Sequence, residues 1–488
     1  MNVPVELLLA IPAVTALICF LMPKGRYASF VSALGALATA AAAVPICVDA
    51  LIGGTTEYSL WYVDGLSAMF VLIAVSVGLM VSLYSCGYVR RDAEDGRMTR
   101  RDGRSYFALL QLFVFAMVLV FVVNSIGIIW IAIEATTLVT AFLVGFYKTD
   151  GATEAAWKYL MICSVGITLA LLGITLVYAS SLNAIGDSPN SLDWSALMSV
   201  APSLDPALIR VAFIFVIIGF GTKMGLVPMH TWLPDAHSQA PTPVSAMLSA
   251  TLLNCALYAI LRLKAIVDLA VPGFASPLLI GFGLLSMAVA AAFILISKNI
   301  KRMLAYSSIE HMGIMAIGFG VGTPLAVFGA LFHVMAHSLA KSAAFMSAGN
   351  VIQGYGTTKT DEVHGLRDRM PFTSVALTVS VLMLIGLPPF AVFVGELSIL
   401  NGMADAGMYW LVAVFIILLI MIFAGFVRNV LPMMSGETER EVRDTRGMSR
   451  TIPIVILIAA SAILGVIMPE QLRDALEAIV SVLTGGSS

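Results

Sequence analysis

The residues of this chain best suited to chemistry are ionisable side chains inside long apolar runs. Glu134 lies in IIWIAIEATTLV, and Lys223 lies in GFGTKMGLVPMH. Such a group at the centre of a bilayer costs at least about 2.5 kcal/mol, so it must be paired or hydrated and is functional by default. The same set includes Lys158, Glu310, His311, His333, His337, Lys341 and Glu396. Because acids, imidazoles and amines can exchange protons, the set predicts a proton relay.

Three of these side chains recur at intervals of four in FHVMAHSLAKSAAF. His333, His337 and Lys341 therefore share one face of a helix and extend over about 12 Å along its axis. With bridging water, this histidine ladder can carry a proton. Glu310 and His311 are adjacent and point about 100° apart on a helix, so at most one is expected to face the relay, and we favour His311.

Each of these residues also has a purely structural interpretation. Buried histidines can simply bond neighbouring helices, Glu134 and Lys223 can form a static ion pair, and Lys158 can extend its ammonium to the interface. A metal site is not expected, because the histidine pair reads H-V-M-A-H without the adjacent acid of H-E-x-x-H helices.

Prolines beside these charges predict broken helices. Pro228 lies five residues after Lys223, and Pro388 and Pro389 precede Glu396. Proline removes backbone hydrogen bonds, which is tolerated at membrane depth where the backbone lines a wet cavity. Two interrupted helices that each carry a charge suggest the inverted repeat of transporters.

The elements that must position these residues are membrane-spanning helices. Of the 488 residues, 59% are hydrophobic and 11% are charged, and runs of spanning length recur from end to end. The expected fold is an all-α polytopic membrane protein with about fourteen transmembrane helices and two inverted five-helix repeats. The predicted spans are 5–22, 28–51, 65–85, 105–123, 126–146, 154–179, 207–226, 243–261, 277–296, 303–320, 325–352, 373–400, 409–431 and 451–467, followed by an amphipathic segment at 470–483.

The distribution of basic residues predicts the orientation of the spans. Most of the 27 Lys and Arg residues, Lys301 among them, fall in one set of alternate loops. The other set holds Arg210, Arg262, Lys264 and Arg473. Because basic loops are retained on the cytoplasmic side, both termini are expected to face outward.

Composition and motifs exclude several classes of protein. The net charge of −2 gives no basic surplus for nucleic acid, and no nucleotide-binding glycine motif follows a strand-like run. The five cysteines are scattered singly, unlike an iron–sulfur, zinc or disulfide framework. We therefore expect no cofactor and no redox centre in this chain.

Four long motifs resemble the antiporter-like membrane subunits of respiratory complex I, multisubunit cation/proton antiporters and membrane-bound hydrogenases. They are TKMGLVPMHTWLPDAHSQAPTPVSAML, KRMLAYSSIEHMGIM, FHVMAHSLAKSAAF and LPPFAVFVGELSIL. The resemblance covers roughly residues 105–431. IEATTLVTAFLVGFY and EAAWKYLMICSVGI are most similar to component F of hydrogenase-4 and its formate hydrogenlyase-type relatives.

This resemblance implies a role for each buried charge. Glu134 and Lys223 would be an ion pair that opens and closes, with Lys158 as its neighbour. His237 and the histidine ladder would form the middle of a hydrophilic axis. Glu396 would be the terminal group, facing the exit or the next subunit.

The chain departs from the family pattern at Asn254, where related subunits often carry a lysine. An amide holds water but does not carry a proton, so the central link must run through water, His237 or Lys341. The resemblance also implies four regions: a three-helix segment at 1–104, antiporter-like halves at 105–268 and 269–432, and the last span with its tail at 433–488.

The expected function is proton translocation within a membrane-bound [NiFe]-hydrogenase or formate hydrogenlyase-type complex of a prokaryotic inner membrane. The partners would be other antiporter-like and small hydrophobic membrane subunits and a peripheral hydrogenase or other redox module. The alternatives are a complex I NADH-quinone oxidoreductase subunit, a multisubunit Na⁺/H⁺ antiporter subunit and a passive scaffold. Sodium prefers a cluster of oxygen ligands, which lone acids beside Lys and His supply poorly.

Overall fold

The structure is a computed structural model that describes residues 4–485 except 187, 189, 439, 444 and 446. The described residues form α-helices and one short hairpin, β1 (Thr56–Tyr58) with β2 (Trp61–Val63). The helices are α1 (Val5–Leu21), α2 (Gly25–Leu51), α3 (Gly65–Glu94), α4 (Arg100–Val122), α5 (Ile126–Val144), α6 (Asp150–Ile185), α7 (Trp194–Val200), α8 (Pro206–Met224), α9 (Trp232–Gln239), α10 (Thr242–Met247), α11 (Leu253–Ala270), α12 (Ala275–Ile296), α13 (Ile300–Val321), α14 (Pro324–Tyr355), α15 (Leu366–Arg369), α16 (Pro371–Leu384), α17 (Ala391–Asp405), α18 (Tyr409–Met434), α19 (Met448–Val466) and α20 (Glu470–Thr484).

The predicted all-α polytopic membrane fold is confirmed. Within the described part of the chain, eleven helices are long and apolar enough to cross a membrane. Helices α1 and α16 are apolar but shorter, and α13 is not among the eleven. The expected number of fourteen spans is therefore not confirmed.

Several helix starts follow from side chains that bond the first free backbone N–H groups. Thr149 accepts from the backbone of Ala152 at the start of α6, and Asn299 accepts from that of Arg302 at the start of α13. Asp205 caps α8, where Pro206 occupies the first turn. Such caps satisfy donors that lack an intrahelical partner, so they fix where each helix begins.

Both predicted helix breaks are present. Helix α8 ends at Gly225 (φ +82°), and Pro228 lies in the turn that leads to α9. The predicted span 373–400 is two helices, α16 and α17, separated by a turn that contains Gly386 (φ +63°) and Pro388. Glycine reaches this left-handed conformation without a Cβ clash, so each break begins with a residue suited to it.

Inner and outer helices differ in what they expose. Large apolar side chains face outward on the peripheral helices, such as Phe30 on α2 (65% exposed) and Trp410 on α18 (60% exposed). Helix α14 is enclosed by α13, α16, α17 and α19, and α13 by α9, α12, α14 and α17. Glu310 and His311 on α13 and the ionisable residues on α14 therefore lie within a protein interior, behind an apolar surface suited to lipid.

Candidate functional site

Lys223 lies in a fully buried pocket between α5, α6 and α8. Its Nζ donates to Thr137 Oγ1 at 2.8 Å and to the Tyr159 hydroxyl at 2.5 Å, and it lies 4.6 Å from the centre of the Tyr159 ring. The Tyr159 hydroxyl also shares a hydrogen bond with Thr140. We call Lys223, Thr137 and Tyr159 the lysine pocket. Neutral hydroxyls, and not a carboxylate, solvate this ammonium.

Glu134 does not pair with Lys223 in this structure. Its Oε1 accepts from Ser164 Oγ at 2.9 Å, and its buried Oε2 has no hydrogen-bond partner within the described residues. Thr137 follows Glu134 by three residues on α5, so the bound hydroxyl and the carboxylate lie about one turn apart. The expected pair is thus open, because the ammonium is satisfied by the hydroxyl of Thr137, one turn further along α5, and by that of Tyr159 on α6.

Lys158 pairs with acidic side chains at the surface, which agrees with its structural interpretation as an ammonium that extends to the interface. Its Nζ contacts Glu154 Oε1 at 2.6 Å and Asp235 Oδ2 at 3.4 Å, and its side chain is 48% exposed. Arg302 also contacts Asp235, at 2.6 Å. Lys158 lies only two turns from the start of α6, so its side chain reaches the surface. Its contact with Asp235 joins α6 to α9.

His237 and Asn254 lie in the buried middle of the molecule. The His237 ring stacks on Phe345 at 5.3 Å, and neither ring nitrogen has a hydrogen-bond partner among the residues described. Asn254 Nδ2 donates to the Ala250 carbonyl at 2.8 Å and to Ser338 Oγ at 3.1 Å. Asn254 therefore joins α11 to α14, and its Oδ1 is an unused acceptor in the described structure.

Five ionisable residues, which we call the central cluster, lie together between α13, α14 and α17. They are Glu310, His311, His333, His337 and Glu396. His311 Nδ1 and His333 Nε2 share a hydrogen bond of 2.9 Å, and the rings of His311 and His337 are 4.9 Å apart. Ligand atoms of His311, His333 and Glu396 all lie within 4.8 Å of one another. Three helices thus bring two imidazoles and a carboxylate to one point.

Glu310 and His311 are both buried in this cluster, so the expectation that at most one faces the relay is wrong. Glu310 Oε2 accepts from Ser307 Oγ at 3.1 Å and lies 4.0 Å from His311 Nε2. The physical reason is that α13 is surrounded by four other helices, so two directions 100° apart on it both point inward.

The histidine ladder is fully buried on α14, but its members contact different helices. His337 Nε2 donates to the Ser249 carbonyl at 3.3 Å, in a π-helical turn, Leu248–Leu252, that joins α10 to α11. Lys341 Nζ donates to the Leu304 carbonyl of α13 at 3.1 Å. His333 instead faces His311 and Glu396. The ladder therefore links α11, α13 and α17 through α14.

Sequence reasoning missed several charged residues that the fold buries, among them Lys301, Asp92, Arg262 and Arg450. Lys301 counted as a loop residue, yet it is 3% exposed, and its Nζ donates to the carbonyls of Ala240 and, at 3.2 Å, Ser238. Asp92 is fully buried and accepts from Tyr147 at 2.5 Å and from Gln353 at 2.7 Å. Lys301 stood two residues before a predicted span, which was a usable signal. Asp92 follows a pair of arginines beyond the end of a predicted span, and that pattern gave no signal of burial.

A cavity of about 340 Å³ opens beside Lys301. Arg97, Tyr147 and Ala240 also line it. Arg97 belongs to the basic loop set, so the cavity lies on the face that carries those loops. The cavity therefore reaches Ser238 and Gln239, which directly follow His237 in sequence.

Comparison with known proteins places this arrangement in a family. Residues 123–422 match the family described as NADH:quinone oxidoreductase/Mrp antiporter, TM, and residues 57–98 match NADH-Ubiquinone oxidoreductase (complex I), chain 5 N-terminus. The chain is 42% identical over 345 residues to a Hydrogenase-4 component F homolog of Methylacidiphilum infernorum, covering 70% of this chain and 72% of that relative.

Two further matches extend over more of the chain. NADH-quinone oxidoreductase subunit N of Desulforudis audaxviator is 28% identical over 432 residues, covering 85% of this chain and 83% of the relative. A chain of the archaeal membrane-bound sulfane sulfur reductase superposes with a TM-score of 0.86 at 24% identity, covering 98% of this chain and 97% of that one. At that identity the structural match shows a shared fold.

Proposed function

The chain belongs to the NADH:quinone oxidoreductase/Mrp antiporter transmembrane family, and from that premise we propose that it translocates protons in a membrane-bound [NiFe]-hydrogenase or formate hydrogenlyase-type complex. The 42% identity to a hydrogenase-4 component F homolog supports this choice over a complex I subunit, since three such subunits are 28%, 31% and 31% identical. Redox chemistry in partner subunits would drive the transfer.

The observation that carries the proposal is a row of buried polar groups that runs from the cavity beside Lys301 to Glu396. Lys301 Nζ is held by the carbonyls of Ser238 and Ala240, which follow His237 in sequence at the end of α9. Lys341 Nζ is held by the carbonyl of Leu304, three residues from Lys301 on α13. Both ammonium groups are thus anchored near the first turn of α13, and Lys301 contacts the segment that follows His237.

The row continues through the central cluster. Lys341 lies one turn beyond His337 on α14, and His337 packs against His311. His311 and His333 are in direct hydrogen-bond contact, and Glu396 lies within 4.8 Å of both. Ordered water between the unpartnered polar atoms would complete each step, because buried water typically makes about three hydrogen bonds to such groups.

The lysine pocket supplies the switch in this proposal. A buried ammonium keeps its proton near a carboxylate and is destabilised when left unpaired. Movement of Lys223 between Thr137 and Glu134 would therefore couple the charge of the first half to proton transfer in the second. The halves are 105–268 and 269–432, each with one broken helix, between the segments 1–104 and 433–488.

The proposal includes a topology with both termini outside the cell membrane and the basic loops inside. Labelling at position 97 tests this orientation, because Arg97 lines the cavity on the face that carries the basic loops. A cysteine replacing Arg97 should react with an impermeant maleimide from the inside of oriented vesicles only. Reaction from the outside would reverse the orientation.

The partner assignment is tested by purifying an affinity-tagged form of the chain from its native membrane. We expect a hydrogenase module and further membrane subunits to copurify, and the reconstituted complex to acidify one side of the vesicle during hydrogen turnover. Copurification with a quinone-reducing module, or with antiporter subunits and Na⁺-driven proton movement, would replace this proposal by one of the alternatives.

A further inference from the structure

We propose that His311, His333 and Glu396 form a binding site for a divalent transition-metal ion of the Zn²⁺ class. The three residues come from α13, α14 and α17, and their ligand atoms lie within 4.8 Å of one another. Zn²⁺ bonds to imidazole nitrogen and carboxylate oxygen are about 2.0–2.2 Å long, so side-chain adjustments of about 1 Å bring the three atoms around one ion.

The donor set selects the chemical class of the ion. Two imidazole nitrogens and one carboxylate oxygen are the His₂Glu set of open zinc sites, whereas Na⁺, Mg²⁺ and Ca²⁺ favour oxygen ligands. The sequence H-V-M-A-H lacks an adjacent acid, but the fold supplies one from another helix. The two histidine ligands are His311 and His333, which do not belong to one sequence motif.

The charge of the site suits a dication. Glu310 Oε2 lies 4.0 Å from His311 Nε2, so a second carboxylate stands beside the three ligands. Glu310 and Glu396 together match the two positive charges of the ion, while the Lys341 ammonium, one turn beyond His337, bonds to the Leu304 carbonyl.

The cluster also has polar atoms that the described protein leaves unpaired. His311 Nε2, His333 Nδ1 and Glu396 Oε1 are buried and have no hydrogen-bond partner in the described structure, and the same holds for Glu310 Oε1. Buried polar groups are normally satisfied, and each exception calls for an occupant. Metal binding would replace the His311–His333 hydrogen bond, so that each neutral ring offers one lone pair to the ion and keeps its proton on the other nitrogen.

Two glycines shape the site and its access. A Cβ on Gly395 would lie 2.9 Å from His333 Cβ, so glycine there allows α17 to approach α14. A Cβ on Gly386 would lie 2.1 Å from Glu396 Oε2, so the carboxylate lies against the helix break. Pro388 and Pro389 in that break are exposed. The Glu396 carboxylate therefore lies against a segment that reaches the protein surface.

Binding has a consequence that rests on the proposed function. The ion and the transferred proton would compete for the same lone pairs, because metal ligands must be deprotonated. Micromolar Zn²⁺ should then inhibit proton translocation. The binding itself is independent of the direction, driving force or partners of that transport.

The test is equilibrium binding of Zn²⁺ to the purified complex, followed by calorimetry and metal analysis, with no redox substrate present. We expect one ion per chain, with an affinity about 100-fold weaker in His311→Gln and Glu396→Gln, since each removes a ligand. His230→Gln and His364→Gln are matched controls that should bind as the parent does, because both histidines lie outside the cluster.

A second measurement needs no variant. The X-ray absorption spectrum of bound Zn²⁺ should show two imidazole ligands with oxygen completing the shell. Unchanged affinity in both cluster variants, a spectrum without imidazole, or no binding at millimolar Zn²⁺ would each overturn the site. None of these outcomes bears on whether the complex pumps protons, so failure of the metal site and failure of the proposed function are distinguishable.

Discussion

The lysine pocket and the central cluster hold buried charge in opposite ways. In the lysine pocket, one ammonium is satisfied by two hydroxyls, and its expected acid partner, Glu134, bonds to Ser164 instead. In the central cluster, two histidines contact each other directly and several polar atoms lack partners among the described residues. The first region resembles a two-position switch, and the second resembles a conduit with short steps.

The difference suggests how one fold can place a side chain that changes partners apart from the groups that pass a proton on. A side chain that exchanges one partner for another needs alternative partners within reach, and Thr137 and Glu134 provide them one turn apart on α5. A conduit needs groups that both accept and release a proton, which imidazole does with its two nitrogens. Substitutions in either region should therefore impair proton translocation independently of the other region.

The largest effect is expected at His333, because its ring contacts His311 and lies beside Glu396. His333→Gln keeps a hydrogen-bonding side chain but removes a group that titrates. Proton translocation should fall on the order of 1,000-fold, within the range for loss of a proton-transfer group, while redox turnover persists. Proton uptake and hydrogen turnover measured on the same proteoliposomes check this. His364→Gln, at an exposed histidine, should change neither, and a pumping His333→Gln variant would contradict a conduit through this ring.

A smaller but still severe effect is expected at the switch. Lys223→Met leaves Thr137 and Tyr159 without their ammonium and gives Glu134 nothing to exchange with, so translocation should fall about 100-fold. Glu134→Gln should have an effect of the same size. Lys158→Met is the control, since its exposed ion pairs are each worth about 0–1 kcal/mol. Equal losses in Lys158→Met and Lys223→Met would remove the distinction between them.

Lys301 sharpens the comparison at the cavity end of the row. Lys301→Cys should reduce translocation about tenfold, because the cavity still reaches Ser238 and Ala240, which follow His237. Alkylation of that cysteine with bromoethylamine restores an amine and should restore transport. The parent chain treated in the same way controls for Cys86, which is partly buried. A labelled but inactive protein would mean that Lys301 only fixes the Ser238–Ala240 turn.

The smallest effect is expected at Asn254, between the two regions. Asn254→Leu removes an acceptor that can hold water, so the transport rate should fall about threefold, as for the loss of one weakly ordered water. Asn254→Lys should be tolerated, since related subunits often carry lysine there. Stopped-flow recordings of a pH dye inside vesicles would measure both rates. An unchanged rate in the leucine variant would show that the proton bypasses α11.

Sequence alone predicted the membrane helices and both helix breaks, because apolar length, glycine and proline act locally. It also found most members of the buried set, since a charge inside an apolar run is conspicuous. Lys301 escaped because its burial depends on α9 folding over the start of α13. The metal ligands escaped because Glu396 reaches His311 and His333 only through the packing of α17, which no spacing along the chain reveals.

The orientation of individual side chains was the least predictable feature. Helical periodicity placed His333, His337 and Lys341 on one face, yet their contacts reach α13, α17 and the π-helical turn between α10 and α11. Helical periodicity also predicted that only one of Glu310 and His311 faces inward. That prediction failed because α13 is surrounded by four other helices, so both directions point into the protein. Side-chain partners depend on which helices surround a helix, and one sequence does not encode that locally.

The most direct test of the central claim compares Glu396→Gln with Glu470→Gln in the same reconstituted complex. Both changes remove one carboxylate, but Glu396 is buried in the central cluster, whereas Glu470 is exposed at the start of α20. The quantity to measure is the number of protons translocated per hydrogen turned over. A buried relay predicts that Glu396→Gln retains redox turnover and loses this ratio, while Glu470→Gln keeps both. An undiminished ratio in Glu396→Gln, in an assembled complex, would contradict proton transfer through the central cluster.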